Sequence, residues 1–530
     1  MTDIETTAGA GPADGAPVRR GGRRGHAGGE GGTRSPIPPQ RGPVQPRLRY
    51  RPMEVVSADE LEAIHDASLT ILEEIGMDFL DAESRDLLKA AGADVRPGSD
   101  RVRMDRGFVT ETIRTAPSEF TLHARNPVHD LHLGGDWVAF GSVGSAPNVA
   151  DADRGRRVGN RKDYQDLIRL SQMIDVVHFL GGYPVEPVDI HASVRHLDAI
   201  HDSLVLFDKP IHAYSLGRQR NRDALEMVRV AHGLSEAELD RRPSIFSIIN
   251  SSSPLRLDTP MLQGILEFSA RNQVICITPF TLAGAMAPVT VVGALAQQNA
   301  EALAGMVMTQ VVRPGAPVIY GGFTSNVDMQ SGAPAFGTPE FMRAAMVGGQ
   351  LARRYKVPYR SSNVCAANAV DAQAAYESVF SLWGAVLGGG NFIMHGAGWM
   401  EGGLHASFEK FILDADLLGM VAAFLDPLVV DDDTLALDAV REVGPGGHYF
   451  GAAHTQARFR DAFYRPILSD WRNWETWQEA GSPTADQKAN RIWKQLLATY
   501  EEPPFDPARR EALEDFVARR KAEGGVKTDF

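Results

Sequence analysis

Cysteine is almost absent from this sequence, with only Cys276 and Cys365 among 530 residues. Two cysteines are too few for a disulfide framework or for a zinc site built from thiolates. Such scarcity is typical of proteins that work in a reducing compartment. We therefore expect a cytoplasmic protein.

Clusters of basic residues are also missing from the body of the chain. The formal net charge is −13, from 54 Lys and Arg against 67 Asp and Glu, whereas nucleic-acid binding depends on clustered cations. The uncharged stretch 272–300 is long enough to resemble a membrane span. Two prolines, Pro279 and Pro288, and the polar run 297–299 argue against its insertion. We predict neither a nucleic-acid partner nor a membrane partner.

The motifs of several cofactor and metal chemistries are absent as well. No Gly-x-Gly-x-x-Gly or P-loop pattern follows a predicted strand, no lysine ends one, and no His-x-His or Cys-x-x-Cys pattern occurs. Nicotinamide, phosphate-anchored, Schiff-base and zinc enzymes are therefore poorly supported. We expect no covalently bound cofactor and no metal.

The first 136 residues contain two different kinds of sequence. Residues 1–48 are rich in Gly, Pro and Arg and hold few large apolar side chains, which predicts a disordered tail. A capping box of Ser57 and Glu60, followed by apolar residues at helical spacing, then predicts a helix. A second helix over 81–91 and short strands near 119–123 and 130–133 complete a predicted cap segment, 49–136.

From residue 137 a unit of an apolar strand, a Gly, Ser or Asn-rich exit and a helical pattern recurs. Parallel strands need crossover helices, and eight such strands close without an edge. We predict an α/β fold of the (βα)8 TIM-barrel class over 137–426, with an open doubly wound sheet as the alternative. The aromatic residues of 427–530 predict a helical C-terminal extension packed on the barrel. The strands are predicted to begin at Trp137, Val176, Pro210, Pro243, Gln273, Pro317, Val357 and Asn391.

The ends of the predicted strands carry aromatic and amide side chains with little charge. In a barrel of this class the site forms where the strands end. Aromatic rings suit a cation without hydrogen-bond donors, such as a quaternary ammonium, and each well-placed ring contributes about 0.5–2 kcal/mol. We assign no catalytic residue. The substrate-binding candidates are Asn148, Asp151, Tyr183, Tyr214, Asn250, Phe280, Phe323, Asn326, Asn363, Cys365, His395, Trp399 and Glu401.

Each candidate has a structural alternative. The aromatic candidates could equally fill the top layer of the barrel core. His395 follows an apolar strand and is either a hydrogen-bonded core histidine or a substrate contact. Cys365 is better explained as a small buried apolar residue than as a nucleophile, because no partner base can be named for it.

Three segments together resemble the trimethylamine methyltransferase family. They are LAGAMAPVTVVGALAQQNAEALAG (282–305), HGAGWMEGG (395–403) and GPGGHYFGAAHTQARFRDAFYRPILSDW (444–471). The resemblance runs from about residue 51 to the C-terminus. It implies a TIM barrel whose mouth binds a methylated amine and docks a separate corrinoid protein, whose Co(I) accepts the methyl group.

One departure from that family narrows the resemblance. The archaeal trimethylamine enzymes carry pyrrolysine near the end of the strand that matches VPYRSSNVCAANAVDAQ. That position falls at or beside Cys365, with Val364 as the alternative, and here it holds an ordinary residue. The sequence therefore resembles the branch that lacks pyrrolysine, which includes glycine betaine methyltransferases.

The chemistry of a quaternary donor agrees with that branch. A quaternary ammonium releases a neutral tertiary amine directly, so no group is needed to activate it. Attack by anionic Co(I) on a cationic donor cancels charge, which a mouth of low polarity favours. A betaine carboxylate would also need hydrogen-bond donors, for which His395, Asn148, Asn326 and Asn363 are the candidates.

Other functions stay open on the sequence. The donor could be trimethylamine or another methylamine. A metal-assisted barrel lyase could use Asp151, Glu401 and His395, and a non-catalytic betaine-binding module would share the same aromatic mouth. Association of the chain with itself is also left open.

Overall fold

The computed structural model describes residues 35–527 of the chain. The segment before the central sheet begins with the predicted capping box, in which Ser57 and Glu60 each accept a hydrogen bond from the other's backbone amide. Asp81 caps the second helix through the amide of Ser84. The elements are α1 (Ala58–Thr70), a π-helical turn (Ile71–Ile75), β1 (Met77–Phe79), α2 (Ala82–Ala91), β2 (Asp94–Val95), β3 (Arg101–Arg103), α3 (Arg106–Ile113), β4 (Phe120–Leu122), a 3-10 turn (Pro127–His129) and β5 (Leu131–Leu133).

Strands and helices alternate through the middle of the chain. Several helices begin at a side-chain N-cap, namely Asn160, Thr338, Asp371 and Ser407. The elements are β6 (Ala139–Ser142), β7 (Asn148–Asp151), β8 (Gly155–Val158), α4 (Arg161–Met173), α5 (Arg195–Leu206), α6 (Arg218–His232), α7 (Glu236–Leu239), β9 (Phe246–Ile249), β10 (Arg256–Leu257), α8 (Thr259–Ala270), β11 (Val274–Ile277), β12 (Leu282–Ala283), α9 (Val291–Val312), β13 (Val318–Gly321), β14 (Ser325–Val327), β15 (Pro334–Ala335), α10 (Pro339–Tyr355), β16 (Tyr359–Ser362), α11 (Ala372–Leu387), β17 (Phe392–Ala397), β18 (Trp399–Met400), a 3-10 turn (Glu401–Gly403), β19 (His405–Ser407) and α12 (Phe408–Phe424).

A six-stranded parallel sheet lies at the centre of this mixed α/β fold. Its order is β6-β17-β16-β13-β11-β9. Six of the eight predicted strand positions are thus strands of one sheet. The other two, near Val176 and Pro210, form isolated parallel bridges, Phe179 with Gly141 and His212 with Phe246.

Alternation along the strands sends one set of side chains to the inner face of the curled sheet. Phe179, Phe246, Cys276, Phe392 and Met394 are buried there in one apolar cluster. The hairpin of β4 and β5 packs Leu122, Leu131 and Leu133 against the same cluster. The hairpin covers the amino ends of the strands, where the amide of His123 donates to the carbonyl of Pro243 just before β9. The inner face is therefore open toward the carboxyl ends of the strands, where the polar exits lie.

The region after α12 is packed only in part. Trp493 of the helix Ala485–Ala498 stacks near Phe408 with ring centroids 4.7 Å apart, and Leu513 of the last helix is fully buried. Phe463 and Trp471, in contrast, are 83% and 77% exposed, so these two aromatic side chains do not contribute to a packed core. Its elements are α13 (Asp432–Leu435), α14 (Leu437–Val443), a 3-10 turn (Tyr449–Gly451), α15 (Ala453–Arg458), α16 (Trp474–Glu479), α17 (Ala485–Ala498) and α18 (Pro507–Ala522).

The end of the predicted tail is packed rather than free. Ile37 and Leu48 are each 6% exposed. The Gln40 side chain accepts from the amide of Asp175 at 2.7 Å and donates to the carbonyl of Met173 at 2.8 Å. These contacts correct the boundary at residue 48, since two apolar anchors are enough to order a segment without periodicity. The rest of the predicted tail, 1–34, lies outside the described residues.

The uncharged stretch 272–300 is divided between two strands and a helix. It contains β11, the two-residue strand β12 and the first part of α9. Among residues 35–527, no helix has both the length and the apolar character needed to cross a bilayer.

Candidate functional site

A cavity of about 250 Å³ lies at the carboxyl ends of the central strands. Six of the predicted candidates line it, namely Tyr214, Asn250, Phe280, Phe323, His395 and Trp399. The strand exits thus converge, as parallel strands of one sheet require. The remaining lining residues are Gly144, Ser145, Gly181, Ile248, Met261, Thr278, Arg360, Gly402 and Gly403.

Aromatic rings form one wall of this cavity. The Phe323 ring lies 5.3 Å from that of Phe280, 6.0 Å from that of Trp399 and 5.9 Å from that of His395, measured between centroids. Phe336 packs behind them, 5.3 Å from Trp399. Such spacing is typical of edge-to-face aromatic packing, which leaves ring faces and edges directed at a ligand.

His395 reaches the cavity because β17 is irregular at this point. The pairing of β17 with β6 shifts register between Ile393 and Ala397, and His395 has a φ of +55°. A bulge of this kind redirects a side chain, and a non-glycine residue with positive φ is strained. The imidazole stacks on Trp399 at 5.2 Å and lies 3.3 Å from the Ser362 hydroxyl through Nδ1.

The electrostatic environment keeps His395 neutral. Burial and the positive charge of Arg360 lower the pKa of His395 well below its ordinary value. A neutral imidazole does not repel a cationic ligand. His395 can therefore lie beside a quaternary ammonium and still donate or accept one hydrogen bond.

Tyr214 forms a second part of the cavity wall. Its hydroxyl lies 2.7 Å from the Ser145 hydroxyl and accepts a hydrogen bond from the amide of Tyr183 at 3.1 Å. The Tyr183 ring is buried behind this wall, edge-to-face with Tyr214 at 4.7 Å. Tyr183 therefore supports the wall and does not line the cavity.

The position of Trp399 depends on its neighbouring glycines and on a buried ion pair. A Cβ on Gly403, whose φ is +96°, would lie 2.7 Å from the Trp399 ring. The amide of Gly398 donates to Asp414 at 2.8 Å, and Asp414 pairs with Lys410 at 2.5 Å. The ring is thus fixed by tight backbone contact on one side and by a buried carboxylate on the other.

Arg360 is a lining residue that the sequence reasoning missed. It lies within β16 and not at its exit, and it faces Gly321 and Phe392 across the sheet register. The residue is only 2% exposed, and burial lowers its pKa to about 10, so the guanidinium is charged at neutral pH. The expectation of a mouth with little charge is therefore corrected. An arginine inside a buried parallel strand was the signal that could have revealed it.

The three asparagines beyond Asn250 do not line the cavity. Asn148, at the start of β7, donates to the carbonyl of Leu404 at 2.9 Å, just before the neighbouring strand β19. Asn326 donates to the carbonyl of Val327 and accepts from Thr338. Asn363 is 1% exposed and holds Gly396 through its amide nitrogen at 3.0 Å. Their amide groups thus hold the loops around the site.

The two acidic candidates also have partners of their own. Asp151 pairs with Arg154 at 2.7 Å and Arg157 at 2.8 Å. Burial opposes ionisation, but these arginines hold the pKa of Asp151 below its usual value. Glu401 pairs with Arg156 and with His405, each at 2.8 Å. Neither carboxylate lines the cavity with His395, and the described residues contain no group of three or more acidic, His or Cys side chains able to hold a metal. This arrangement does not support the hypothesis of a metal-assisted lyase.

Cys365 lies outside the cavity in a small apolar cluster. It is 1% exposed and packs with Ala367, Ala374 and Met400. Burial raises the pKa of the thiol to about 12, so the thiol stays protonated at neutral pH. This environment suits the apolar interpretation of Cys365.

Comparison with known proteins finds curated methyltransferases and a solved structure that are similar to this chain. A curated glycine betaine methyltransferase of Desulfitobacterium hafniense (strain Y51) is 36% identical over 472 residues, 89% of this chain and 98% of that protein. The trimethylamine methyltransferase MttB of Desulfitobacterium hafniense (strain DSM 10664 / DCB-2) is 28% identical, covering 89% of this chain and 94% of the relative. The crystal structure of the Methanosarcina barkeri monomethylamine methyltransferase MtmB is similar at a TM-score of 0.45, with 11% identity and coverage of 88% of this chain and 93% of that chain.

The sequence profile of one family spans nearly the whole chain. The profile described as trimethylamine methyltransferase (MTTB) matches residues 19–525. The resemblance expected from about residue 51 onward is thereby confirmed, and the match begins earlier, at residue 19. The chain belongs to the trimethylamine methyltransferase family and is a methyltransferase.

Proposed function

We propose that this protein moves a methyl group from a quaternary amine, glycine betaine or a similar compound, to the Co(I) of a corrinoid carried by a separate protein. The aromatic wall carries the proposal. Phe280, Phe323 and Trp399 surround a cavity at the strand ends, with His395 kept neutral beside them. A methylated cation is the ligand that such rings attract without hydrogen bonds. The relative with 36% identity is named for the same donor.

We infer in addition that the parallel strands close into an eight-stranded barrel. The bridges of Gly141 with Phe179 and of His212 with Phe246 extend the sheet beyond both of its edges. The amide of Leu180 donates to the carbonyl of Pro210 at 3.1 Å between those extensions. Closure would bring all eight exits to one end, where a single partner could reach the cavity.

The reaction needs little from the protein besides position and environment. The carbon–nitrogen bond of the donor breaks, its electron pair stays on the nitrogen, and a neutral tertiary amine leaves. A carbon–cobalt bond forms with the electron pair of Co(I), so no proton is transferred. The aromatic wall orients the cation and excludes water, and the neutral state of His395 avoids an added positive charge next to the ammonium.

The direct test is a screen of methyl donors with the purified full chain and reduced cobalamin. Methylcobalamin formation is followed by absorbance, and the demethylated amine is identified by mass spectrometry. We expect dimethylglycine from glycine betaine. Turnover of trimethylamine alone would favour the methylamine alternative, and tight betaine binding without any methyl transfer would favour the binding-module alternative.

Three accompanying assignments stay predictions. They are the corrinoid-protein partner, a cytoplasmic location, and the division into a cap (49–136), a barrel (137–426) and an extension (427–530). Co-purification with a corrinoid protein encoded near this gene would support the first. The oligomeric state can be measured in the same preparation by light scattering.

A further inference from the structure

Within residues 35–527, the buried guanidinium of Arg360 has no partner of opposite charge. Nη1 donates to the carbonyl of Gly322 at 3.2 Å, and Nε is buried with no hydrogen-bond partner. Among the described residues, no carboxylate is one of the groups that shift the pKa of Arg360, which besides burial are Cys276 and Tyr359. An unpaired buried charge is costly, so a protein that keeps one in a cavity wall usually obtains the counter-charge from a ligand.

A glycine on the neighbouring strand leaves room for the Arg360 side chain. Gly321 is the register partner of Arg360 on the neighbouring strand, and a Cβ at Gly321 would lie 3.3 Å from the Arg360 side chain. Period-two alternation places both residues on the inner face. The guanidinium is therefore held below the strand exits, within the cavity lining and not on the surface.

The same cavity offers opposite electrostatic preferences at two places. The guanidinium carbon of Arg360 lies 5.2 Å from the centroid of the Phe323 ring, whose other neighbours are Phe280 and Trp399. The fixed cation attracts an anionic group and repels an ammonium, whereas the rings favour an ammonium. A ligand that satisfies both places carries an anion at one end and a methylated cation at the other.

The donors expected from the sequence are weaker anchors for such an anion. Asn148, Asn326 and Asn363 have other partners and do not line the cavity. His395 is neutral and can donate a single hydrogen bond. The planar fork of an arginine can donate two parallel hydrogen bonds to a carboxylate.

We propose that Arg360 binds the carboxylate of the methyl donor and thereby selects betaines over methylated amines that carry only positive charge. This inference rests on the proposed function, because it takes the ligand of the cavity to be the methyl donor. It names the substrate class as short zwitterionic quaternary amines. Choline and tetramethylammonium lack the carboxylate and would place a second cation beside an unpaired guanidinium.

Calorimetric binding to the full chain without corrinoid tests the anchor. We expect glycine betaine to bind about 10- to 150-fold more tightly than choline. This is the fold-change in affinity that one hydrogen bond to a charged group provides. Arg360→Met should weaken the binding of glycine betaine by about the same factor and should leave the binding of choline unchanged or make it tighter. Arg360→Lys keeps the charge but loses the fork, so we expect an intermediate affinity.

Arg353 is a matched control for this series. It lies in α10 and is only partly buried, and its Nη1 donates to the carbonyl of Gly388 at 2.6 Å. It lies before β17, away from the cavity lining. Arg353→Met should leave the affinities for both ligands unchanged.

Thermal unfolding separates an anchor from a structural arginine. Without ligand, Arg360→Met should melt at the same temperature as the parent or higher, because it removes an uncompensated buried charge. A lower melting temperature of Arg360→Met, together with equal losses of binding affinity for glycine betaine and for choline, would overturn the proposal. Unchanged betaine affinity in Arg360→Met, or no betaine binding by the parent protein, would overturn it too.

Methyl transfer distinguishes this inference from the proposed function. Betaine binding that depends on Arg360, with no methylcobalamin formed, would refute the methyltransferase proposal and leave the anchor intact. Methyl transfer from glycine betaine that Arg360→Met does not slow would refute the anchor and leave the methyltransferase proposal intact.

Discussion

Breaking the ion pair between Lys410 and Asp414 is expected to destabilise the fold strongly. Both side chains are fully buried in α12, with Nζ and Oδ1 2.5 Å apart. Lys410 also donates to the Ser378 hydroxyl at 2.7 Å, and Asp414 accepts from the amide of Gly398 at 2.8 Å. Removing one partner leaves the other charge buried and unpaired, which costs about 3–5 kcal/mol.

The structure also predicts that the double substitution is milder than either single one. Burial raises the pKa of Asp414 even beside the Lys410 cation, so the loss of hydration outweighs the attraction between the two. Lys410→Met with Asp414→Leu removes both buried charges. The amide of Gly398 is then left unpaired, which costs about 1–3 kcal/mol, and the Ser378 hydroxyl loses its contact with Lys410.

Thermal unfolding measures these differences. For a cooperative unit of about 500 residues, 1 kcal/mol corresponds to roughly 1 °C. We expect the single variants to melt about 3–5 °C lower and the double variant about 1–3 °C lower. Amide hydrogen exchange of the peptide that contains Gly398 should accelerate in every variant that lacks Asp414.

An exposed pair at the same helical spacing provides the control. Glu514 pairs with Arg510 on α18, with side chains 52% and 39% exposed, so Glu514→Gln should cost under about 0.5 kcal/mol. Costs below 1 kcal/mol for Lys410→Met and Asp414→Leu, or a double variant as costly as the sum of the two, would refute the reasoning about buried charges.

Two further predictions concern residues outside the cavity. Removal of 1–45 should lower the melting temperature by about 2–4 °C relative to removal of 1–34, because it deletes buried Ile37 and the Gln40 hydrogen bonds; equal melting temperatures would contradict this. Since burial raises its pKa to about 12, Cys365 should stay protonated and resist iodoacetamide at pH 9 in the folded protein, and Cys365→Ala should keep methyl transfer. Rapid labelling at pH 9, measured by mass spectrometry, would show a reactive thiolate instead.

Local features of the fold could be predicted because they depend on neighbouring residues. The capping box of Ser57 and Glu60 and the caps at Thr338 and Asp371 involve residues two or three positions apart. The apolar strands could be recognised in the same way, since each short run is complete in itself. Two of them, near Val176 and Pro210, form only isolated bridges, because pairing depends on neighbours that lie elsewhere in the chain.

The expectation that the site forms where the strands end predicted some of the residues that line the cavity but not all of them. It found Phe323, His395 and Trp399, since each lies at or close to the end of an apolar run in the sequence. It missed Arg360, whose inward direction depends on the register of β16 with β13 and β17. Reading the alternation of β16 would have revealed a charged residue on a buried face.

The sequence by itself determined the order of strands and helices, their caps and the family to which the chain belongs. Only the tertiary structure decided which polar residues are available to a ligand. Asn148 bonds to Leu404, 256 residues away, and Arg156 pairs with Glu401, 245 residues away. Contacts across such separations leave no local pattern, because they arise when strands from distant parts of the chain come together. That assembly occupies Asn148 and Glu401, and it leaves Arg360 without a counter-charge among the residues that the structure describes.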